Sequence, residues 1–352
     1  MSENTGPKVF LSRLFKKAPI PKTVYLTNPD NNSIRIAKEK KQEGLKIVGR
    51  LDGARPYKFT FMETLGFLGE RYKFLKKIPQ HRYESYEMSR EFTKSVNKYL
   101  DRNSIWLHNN ADAIIFQSSL SKKMHEFFLG YRSFQPNKII NNGVDLNEFK
   151  PNSSDIAKRF FPNVLVSASE YRPHKRLKDS IELINFLSKP FPNIRLHILG
   201  EPNHFVKKEI ELLNLDNCIF YGRLNQKSLP EVYGKQDFQL SLSMFDACPN
   251  VVVEGLASGL PVVTCEESGA FELINQNKSW SVNEEIKLDY YEYHRANWIP
   301  KADLSSYCEK IMSIIENLRE EKQIARNIAE EKLSIDLVSK KYLQFIESQD
   351  ED

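Results

Sequence analysis

Short apolar runs rich in β-branched residues alternate with amphipathic stretches along most of the chain, from Thr23 onward. A short apolar or alternating run predicts a β-strand, whereas apolar residues recurring every three or four positions predict an α-helix. Regular alternation of the two is typical of a parallel sheet covered by helices, so the pattern predicts an α/β fold. The predicted strands are Thr23–Thr27, Lys46–Leu51, Ala113–Gln117, Lys138–Ile140, Val164–Ala168, Ile194–Leu199, Cys218–Tyr221, Phe238–Leu242 and Pro261–Cys265.

The predicted strands form two groups, separated by a segment from Asn141 to Ser154 that contains Asn, Gly, Asp and Pro. A chain of 352 residues with 40% apolar content is also too long for one ordinary hydrophobic core. We therefore predict an N-terminal domain over 1–150, a C-terminal domain over 151–334, and a helix within 335–352 that crosses back to the first domain. The charged, aromatic-rich region from Tyr57 to Asn103 is predicted to be helical and to form the variable face of the first domain.

Charge and cysteine content narrow the class of protein. The 51 basic and 46 acidic side chains leave a net charge of +5 with both signs interspersed, which does not fit a nucleic-acid binder. The four cysteines show no close pair and no metal-ligand spacing, as expected for reduced thiols in a cytoplasm. We also find no apolar run near the roughly 18 residues of a membrane span and no signal peptide, so we expect a cytoplasmic protein.

The N-terminal segment 8–17 interleaves apolar and basic residues ahead of two prolines. Such a segment fits a short amphipathic helix that lies on a membrane surface, which makes peripheral membrane contact one hypothesis. The alternative is an arm that packs on the domain or stays disordered.

The most informative motif spans residues 245–263 and predicts a strand, a loop, a helix, a turn and a second strand. Pro249 suits the first helical position and Gly259 the left-handed residue that ends a helix, so we expect a helix of about ten residues. Asp246 and Glu254 then bracket a helix N-terminus, which attracts phosphate or sugar oxygens. A carboxylate one turn into the helix accepts hydrogen bonds from a pair of vicinal hydroxyls.

This motif resembles that of the retaining nucleotide-sugar transferases of glycosyltransferase family 4, an acidic residue, seven residues and Glu, followed by Gly-x-Pro-Val-Val. Asp246 stands where the family usually has Glu. The resemblance implies that Glu254 holds the ribose hydroxyls, while Asp246 and neighbouring backbone amides hold the transferred sugar. The motif residues assigned to nucleotide-sugar binding are Asp246, Cys248, Pro249, Asn250, Val251 and Glu254. The alternative is that Asp246 is a surface loop residue and Glu254 a charge on a helix face.

Two further segments resemble the same family. Residues 141–151 are similar to its interdomain signature Asn-Gly-Val-Asp…Phe-x-Pro, in which Gly143 would permit a tight turn and Pro151 would stiffen the linker. Residues 220–224 resemble the strand whose end contacts the nucleobase, which places Arg223 in the nucleotide site. The turn Ser268–Glu272 supports the fold.

A cluster of cations lies where the first strand of the second group meets a helix. Arg172, Lys175 and Arg176 have an obvious partner in a diphosphate, whose departure they would assist by neutralising developing charge. Lys175 resembles the family's phosphate-binding lysine. Glu170 stands where the family usually has an arginine, so Arg172 or Arg176 has to supply the second charge. We assign Asp246, Lys175 and Arg172 as catalytic residues.

The acceptor side is predicted at the end of the second strand. Arg50-Leu51-Asp52-Gly53 resembles a variant of bacterial-type members of the family and puts Asp52 at a carboxyl end of the sheet, where ligands bind. We assign Arg50 and Asp52 to the acceptor side; the alternative for Asp52 is a structural turn aspartate.

The resemblance implies the GT-B fold, two facing Rossmann-like domains with a cleft between them. It also implies a retaining, metal-independent transfer that needs no cofactor, from a nucleotide-diphosphate sugar to a glycan or lipid-linked acceptor. Within enzymes the alternatives are a sugar-nucleotide epimerase or a sugar phosphorylase. Outside enzymes the alternative is an inactive scaffold that binds sugar nucleotides or glycans.

Overall fold

Four parallel strands form the first sheet of the computed structural model, which describes residues 10, 12–14, 21–52, 102–130, 134–152, 162–284 and 300–349. The elements of this half are β1 (Val24–Thr27), α1 (Asn31–Gln42), β2 (Lys46–Leu51), α2 (Arg102–Asn110), β3 (Ala113–Phe116), α3 (Ser119–Leu129) and β4 (Asn137–Ile139). The strands lie in the order β1-β2-β3-β4. The region predicted as helical from Tyr57 to Asn103 lies outside the described residues except for its last two.

Six parallel strands form the second sheet. Its first elements are β5 (Asn163–Tyr171), a 3-10 turn at Pro173–Lys175, α4 (Leu177–Leu187), β6 (Arg195–Pro202), α5 (His204–Ile210), β7 (Cys218–Gly222), a 3-10 turn at Gln226–Ser228 and α6 (Leu229–Gly234). They are followed by β8 (Phe238–Ser241), α7 (Asn250–Ala257), β9 (Val262–Cys265), α8 (Gly269–Leu273) and β10 (Ser281–Val282). The chain then forms α9 (Leu304–Glu316), α10 (Leu318–Ile328), a π-helical turn at Ala329–Leu333 and α11 (Ile335–Glu347).

The α/β prediction is confirmed, and each predicted strand has a counterpart shifted by at most a few residues. Strand β10 was missed because two residues are too few to produce a hydrophobic period. Side-chain caps explain several helix starts: the Asp30 carboxylate accepts from the Ser33 amide at 3.0 Å, and the Ser118 hydroxyl accepts from the Ser121 amide at 3.0 Å.

The strand order of the second sheet, β10-β9-β8-β5-β6-β7, creates a switch point between β5 and β8. From β5 the chain proceeds to β6 and β7 in one direction, then returns to β8 and continues to β9 and β10 in the other. In open α/β sheets the loops at the carboxyl ends of two such strands diverge and leave a crevice for ligands. The loop after β5 carries the cation cluster at residues 172–176, and the loop after β8 begins the motif at residues 245–263.

The two halves are joined by two chain segments that run side by side. Val144 pairs with Ser334, and its amide donates to the Leu333 carbonyl at 2.9 Å. Gly143 does not have the positive φ expected of a tight-turn glycine. Its role is close approach, because a Cβ there would lie 3.0 Å from Cβ of Val338 in α11.

The N-terminal segment and α11 share one hydrophobic cluster with the first sheet. Phe10 and Leu14 are 0% and 1% exposed, and the Phe10 ring lies 5.7 Å from that of Tyr342 in α11. The packed arm is therefore the correct alternative for Phe10 and Leu14, and the membrane hypothesis is not supported for these two residues, because both lie in the protein core. No helix among the described residues has the length and apolar character needed to cross a membrane.

Candidate active site

Helix α7 begins at Asn250, directly after the loop that follows β8. Pro249 precedes the helix in an extended conformation (φ −68°, ψ 113°). The helix therefore begins one residue later than predicted. The helix ends at Ala257, and Gly259 has the predicted left-handed conformation with a φ of 73°. The helix is thus 8 residues long rather than about ten. Its first-turn amides, at Asn250 and Val251, lie at the positive end of the helix dipole.

Lys175 and Asp246 meet at the switch point. The Lys175 ammonium donates to Oδ2 of Asp246, and each side chain keeps about a fifth of its surface exposed, 21% and 20%. The two loops are also tied through their backbones, because the Met244 amide donates to the His174 carbonyl at 3.1 Å. A cation and an anion are therefore held beside the start of α7, within reach of solvent.

The backbone around Asp246 is strained and held from the next loop. Phe245 adopts a left-handed conformation with a φ of 51°, which a bulky residue rarely does, and its amide donates to the Glu267 carbonyl at 3.0 Å. The Gly269 amide at the start of α8 donates to the Asp246 carbonyl at 2.7 Å. These two bonds fix the direction in which the Asp246 side chain leaves the backbone.

Replacing Gly269 with alanine should displace Asp246. The added Cβ would overlap the carbonyl oxygens of Ala247 and Asp246, which are backbone atoms and can give way only if the loop moves. We expect Gly269→Ala to destabilise the fold by about 1–3 kcal/mol and to lower kcat/KM at least tenfold. Steady-state kinetics and thermal unfolding check this. Gly234→Ala is the matched control, because its Cβ would meet Asn152 at an ordinary 3.5 Å; equal effects of the two variants would contradict the prediction.

Of the two arginines proposed as the second cation, only Arg172 is accessible. Its side chain is 51% exposed, and its Nε donates to Oε2 of Glu170 at 2.9 Å. The Arg176 side chain is 0% exposed and donates to Glu284 at 2.7 Å and to the Pro300 carbonyl at 2.6 Å. Arg176 as a phosphate-binding cation is therefore corrected: its charge is neutralised inside the second domain.

Glu254 is nearly buried, at 4% exposure, although it is ionisable. Burial raises the pKa of its carboxyl above the usual range, and the guanidinium of Arg13 opposes this shift. Arg13 donates from Nη2 to Oε1 of Glu254 at 2.9 Å. A residue before the first strand thus reaches a carboxylate of the second domain.

Arg50 lies within the protein and not on the acceptor side of a cleft. Its side chain is 0% exposed and donates to Tyr342, Asn28, Asp52 and Asn142 at 3.1, 3.4, 2.7 and 2.7 Å. The Phe10 ring covers the guanidinium at 4.6 Å. The expectation that Arg50 contacts an acceptor is corrected, because its donors are committed to internal partners. Asp52, with 15% of its side chain exposed, also accepts from Gln117.

Asn142 connects this buried arginine to the start of α7. Its Oδ1 accepts from Arg50, and its Nδ2 donates to Oδ1 of Asn250 at 2.6 Å and to the Cys248 carbonyl at 3.3 Å. Burial raises the pKa of the Cys248 thiol to about 12, so this thiol stays neutral, and its Sγ accepts from the Asn142 amide at 3.5 Å. A continuous set of hydrogen bonds therefore runs from Asp52 through Arg50 and Asn142 to Asn250.

A second link between the halves ends on Glu272 in α8. Its Oε2 accepts from the Ser119 amide at 2.8 Å and from the Ser119 hydroxyl, at the first position of α3. Its Oε1 accepts from Nδ2 of Asn141 at 3.0 Å. A carboxylate at a helix N-terminus is stabilised by the free amides and the dipole, so Glu272 fastens the second sheet's loops to α3.

The structure does not bring Arg223 to the other candidates. It follows β7 at the edge of the sheet, with β6 between it and β5, and it lies 3.7 Å from Glu201. Both side chains are more than half exposed.

The model of the family "Glycosyl transferases group 1" matches residues 150–331, which include β5 to β10 and both motifs at the switch point. The chain belongs to this family. Among the relatives of this chain, the uncharacterized glycosyltransferase MJ1059 of Methanocaldococcus jannaschii is 24% identical over 230 residues, 62% of this chain and 55% of the relative. The sulfoquinovosyl transferase SQD2 of Arabidopsis thaliana is 25% identical over 183 residues, 49% of this chain and 34% of the relative. The matches thus span about half and a third of these relatives.

Solved structures share the fold of this chain over nearly its whole length. HepE from Anabaena in complex with UDP-glucose superposes with a TM-score of 0.60 at 16% identity, covering 97% of this chain and 81% of HepE. Sucrose-phosphate synthase from Thermosynechococcus elongatus gives a TM-score of 0.61 at 15% identity, covering 97% and 77%. The fold is therefore the GT-B fold, as predicted.

Sequence reasoning missed two residues at the site, Arg13 and Asn142. Asn142 lies inside the Asn-Gly-Val-Asp signature, which indicated a linker and carried no sign of a contact with α7. Arg13 gave only an amphipathic pattern, because a contact with Glu254 across 241 positions leaves no local signal.

Proposed function

We propose that this glycosyltransferase moves a sugar from a nucleotide-diphosphate sugar to a hydroxyl of a glycan or lipid-linked acceptor, with retention of configuration and without a metal ion. The observation that carries the proposal is the Lys175–Asp246 pair beside the N-terminus of α7. The pair supports the proposal because an ammonium suits a diphosphate and a carboxylate suits sugar hydroxyls, and both lie at the switch point of the sheet.

On the donor side, each remaining residue has a distinct role. Lys175 and the exposed Arg172 bind the diphosphate, and the first-turn amides of α7 add the positive end of a dipole. Glu254 accepts hydrogen bonds from the ribose hydroxyls, and Asp246 accepts from hydroxyls of the transferred sugar. Lys175 pairs with Asp246 and Arg172 pairs with Glu170 before the donor binds. When the donor binds, phosphate oxygens replace these carboxylates, so each cation keeps an anionic partner throughout.

Chemistry at this site needs no side-chain nucleophile. The bond between the anomeric carbon and the β-phosphate oxygen breaks, and its electron pair leaves with the diphosphate. The acceptor oxygen bonds to the same face of the anomeric carbon, and its proton passes to the departing phosphate. Lys175 and Arg172 stabilise the charge that develops on the leaving group, which is the part of the reaction where a fixed cation accelerates most.

On the acceptor side, Asp52 is the residue we assign to the acceptor hydroxyls. Its carboxylate is held by Arg50 and Gln117 at the carboxyl end of β2, so its direction is fixed before an acceptor arrives.

Thermal unfolding with nucleotides tests the donor site. We expect one nucleoside diphosphate among UDP, GDP and ADP, with UDP first because HepE is solved with UDP-glucose, to stabilise the wild type by about 2.7 kcal/mol at 100 times its Kd. Glu254→Gln keeps the size of the side chain but removes its charge, and should lose most of this stabilisation. Glu231→Gln, at an exposed acid paired with Lys235 at 2.6 Å, is the matched control and should keep it.

Product analysis completes the test. Turnover of the stabilising nucleotide's sugar onto any acceptor, with retained configuration and in the presence of a chelator, is the expected outcome. No stabilisation by any diphosphate would overturn the proposal. Stabilisation without turnover on any acceptor would identify a scaffold that binds sugar nucleotides. The contact between Glu170 and Arg172 favours that alternative, because it occupies a cation on the phosphate side of the site.

A further inference from the structure

The N-terminal segment supplies a side chain to the second domain. Phe10 and Leu14 anchor the segment in the hydrophobic cluster of the first sheet. Arg13 lies between these two residues in sequence, but its side chain packs against the other half of the protein. It contacts Glu254 in α7 at 2.9 Å, and its guanidinium lies 5.5 Å from the centre of the Phe149 ring. Its position is therefore fixed by both halves of the protein.

The Arg13–Glu254 pair is shielded from water. The two side chains are 10% and 6% exposed, so solvent screens the interaction little. A buried carboxylate without a cation would take up a proton, because a low-dielectric environment disfavours its charge. Arg13 contacts Oε1 only, and both oxygens of a carboxylate accept hydrogen bonds, so a ribose hydroxyl and Arg13 can share the group.

We propose that Arg13 is a positioning residue of the donor site, which keeps the Glu254 carboxylate ionised and aimed so that it accepts from the ribose hydroxyls. The inference rests on the proposed function and extends the donor site to a residue outside the family's matched region, 150–331. Nucleotide affinity then depends on the N-terminal segment.

The pH dependence follows from the groups that face Glu254. Among the described residues these are Arg13, Glu148 in the connecting segment and Tyr233 in α6. Burial raises the pKa of Glu254, and Arg13 lowers it, so removing Arg13 raises that pKa further. The carboxylate accepts hydrogen bonds when ionised, and ribose binding is lost as the pH falls through its pKa. Without Arg13 this loss occurs at higher pH.

Isothermal titration with UDP, or with the diphosphate that stabilises the wild type, and with its 2′,3′-dideoxy analogue tests the proposal. Arg13→Gln should weaken UDP binding about tenfold or more at neutral pH, while dideoxy-UDP, which lacks the ribose hydroxyls, should bind both proteins equally. The UDP affinity of Arg13→Gln should recover as the pH is raised, and Arg13→Lys should restore binding to within about threefold at neutral pH. In a Glu254→Gln background, Arg13→Gln should add nothing.

Arg35→Gln, at an exposed arginine paired with Glu39 within one helix, is the control and should bind UDP as the wild type does. An equal loss of UDP and dideoxy-UDP in Arg13→Gln, or no loss of either, would overturn the inference while leaving the proposed function intact. Wild-type protein that binds no diphosphate would overturn the proposed function itself. Thermal unfolding of each variant without ligand separates loss of binding from loss of the fold.

Discussion

Replacing Lys175 with alanine is expected to lower kcat about 100- to 1,000-fold while the protein remains folded. Lys175 lies in the 3-10 turn after β5, and its ammonium contacts Asp246 beside the start of α7. In the proposed transfer, negative charge develops on the leaving diphosphate as the bond between the anomeric carbon and the β-phosphate oxygen breaks. A fixed cation at that place stabilises this charge, and removal of one such group costs about 100- to 1,000-fold in kcat. The free energy of unfolding should change by less than about 1 kcal/mol, because the pair is partly exposed.

The measurement is the steady-state rate with a saturating nucleotide sugar, together with thermal unfolding. Lys178→Ala is the matched control: it removes a lysine three positions away, on the surface of α4, that pairs with Glu182 at 3.8 Å. The control should keep kcat within about twofold. A loss of less than about tenfold in Lys175→Ala, or an equal loss in both variants, would mean that Lys175 does not face the diphosphate.

The strands and the order of the motifs could be predicted from the sequence, because both depend on local patterns. Short apolar runs such as Val24–Thr27 and Val262–Cys265 are strands that are buried in the fold. The spacing from Asp246 to Glu254 placed two carboxylates around a helix start, and the structure has that helix at Asn250. The α/β fold and the site's outline therefore followed from local chemistry.

The contacts across the molecule could not be predicted, because a local pattern does not say what faces a side chain. Arg172 and Arg176 look alike in sequence, yet one is half exposed and the other pairs with Glu284 inside the domain. Arg50 was assigned to the acceptor side because the segment Arg50-Leu51-Asp52-Gly53 resembles a variant of the family at the end of a strand. Its partners Asn142 and Tyr342 are 92 and 292 positions away, and only the folded chain brings them to it.

Replacing Arg50 with methionine should destabilise the protein by about 3–5 kcal/mol. Methionine keeps the length and apolar stem of the side chain but leaves the Asp52 carboxylate, which is 15% exposed, without its cation. Removing one partner of a largely buried ion pair costs about this much. The hydroxyl of Tyr342 and the side-chain carbonyls of Asn28 and Asn142 lose their donor as well. Asn28 directly follows β1, Asn142 lies in the segment between the two sheets, and Tyr342 lies in α11, so the variant should weaken the packing of α11 on the first sheet.

Denaturant unfolding measures the free energy of unfolding of Arg50→Met and of a control, Arg35→Met. The control removes an exposed arginine and should change the free energy of unfolding by less than about 1 kcal/mol. Arg50→Lys separates charge from geometry: an ammonium keeps the attraction to Asp52 but has no fork of donors, so its stability should fall between wild type and methionine. If Arg50→Met were as stable as the wild type, the buried charge would be dispensable and the hydrogen bonds from Asp52 to Asn250 would not couple the two halves. A loss of stability that reaches α11 first, measured by hydrogen exchange, would tie the effect to the contact between Arg50 and Tyr342.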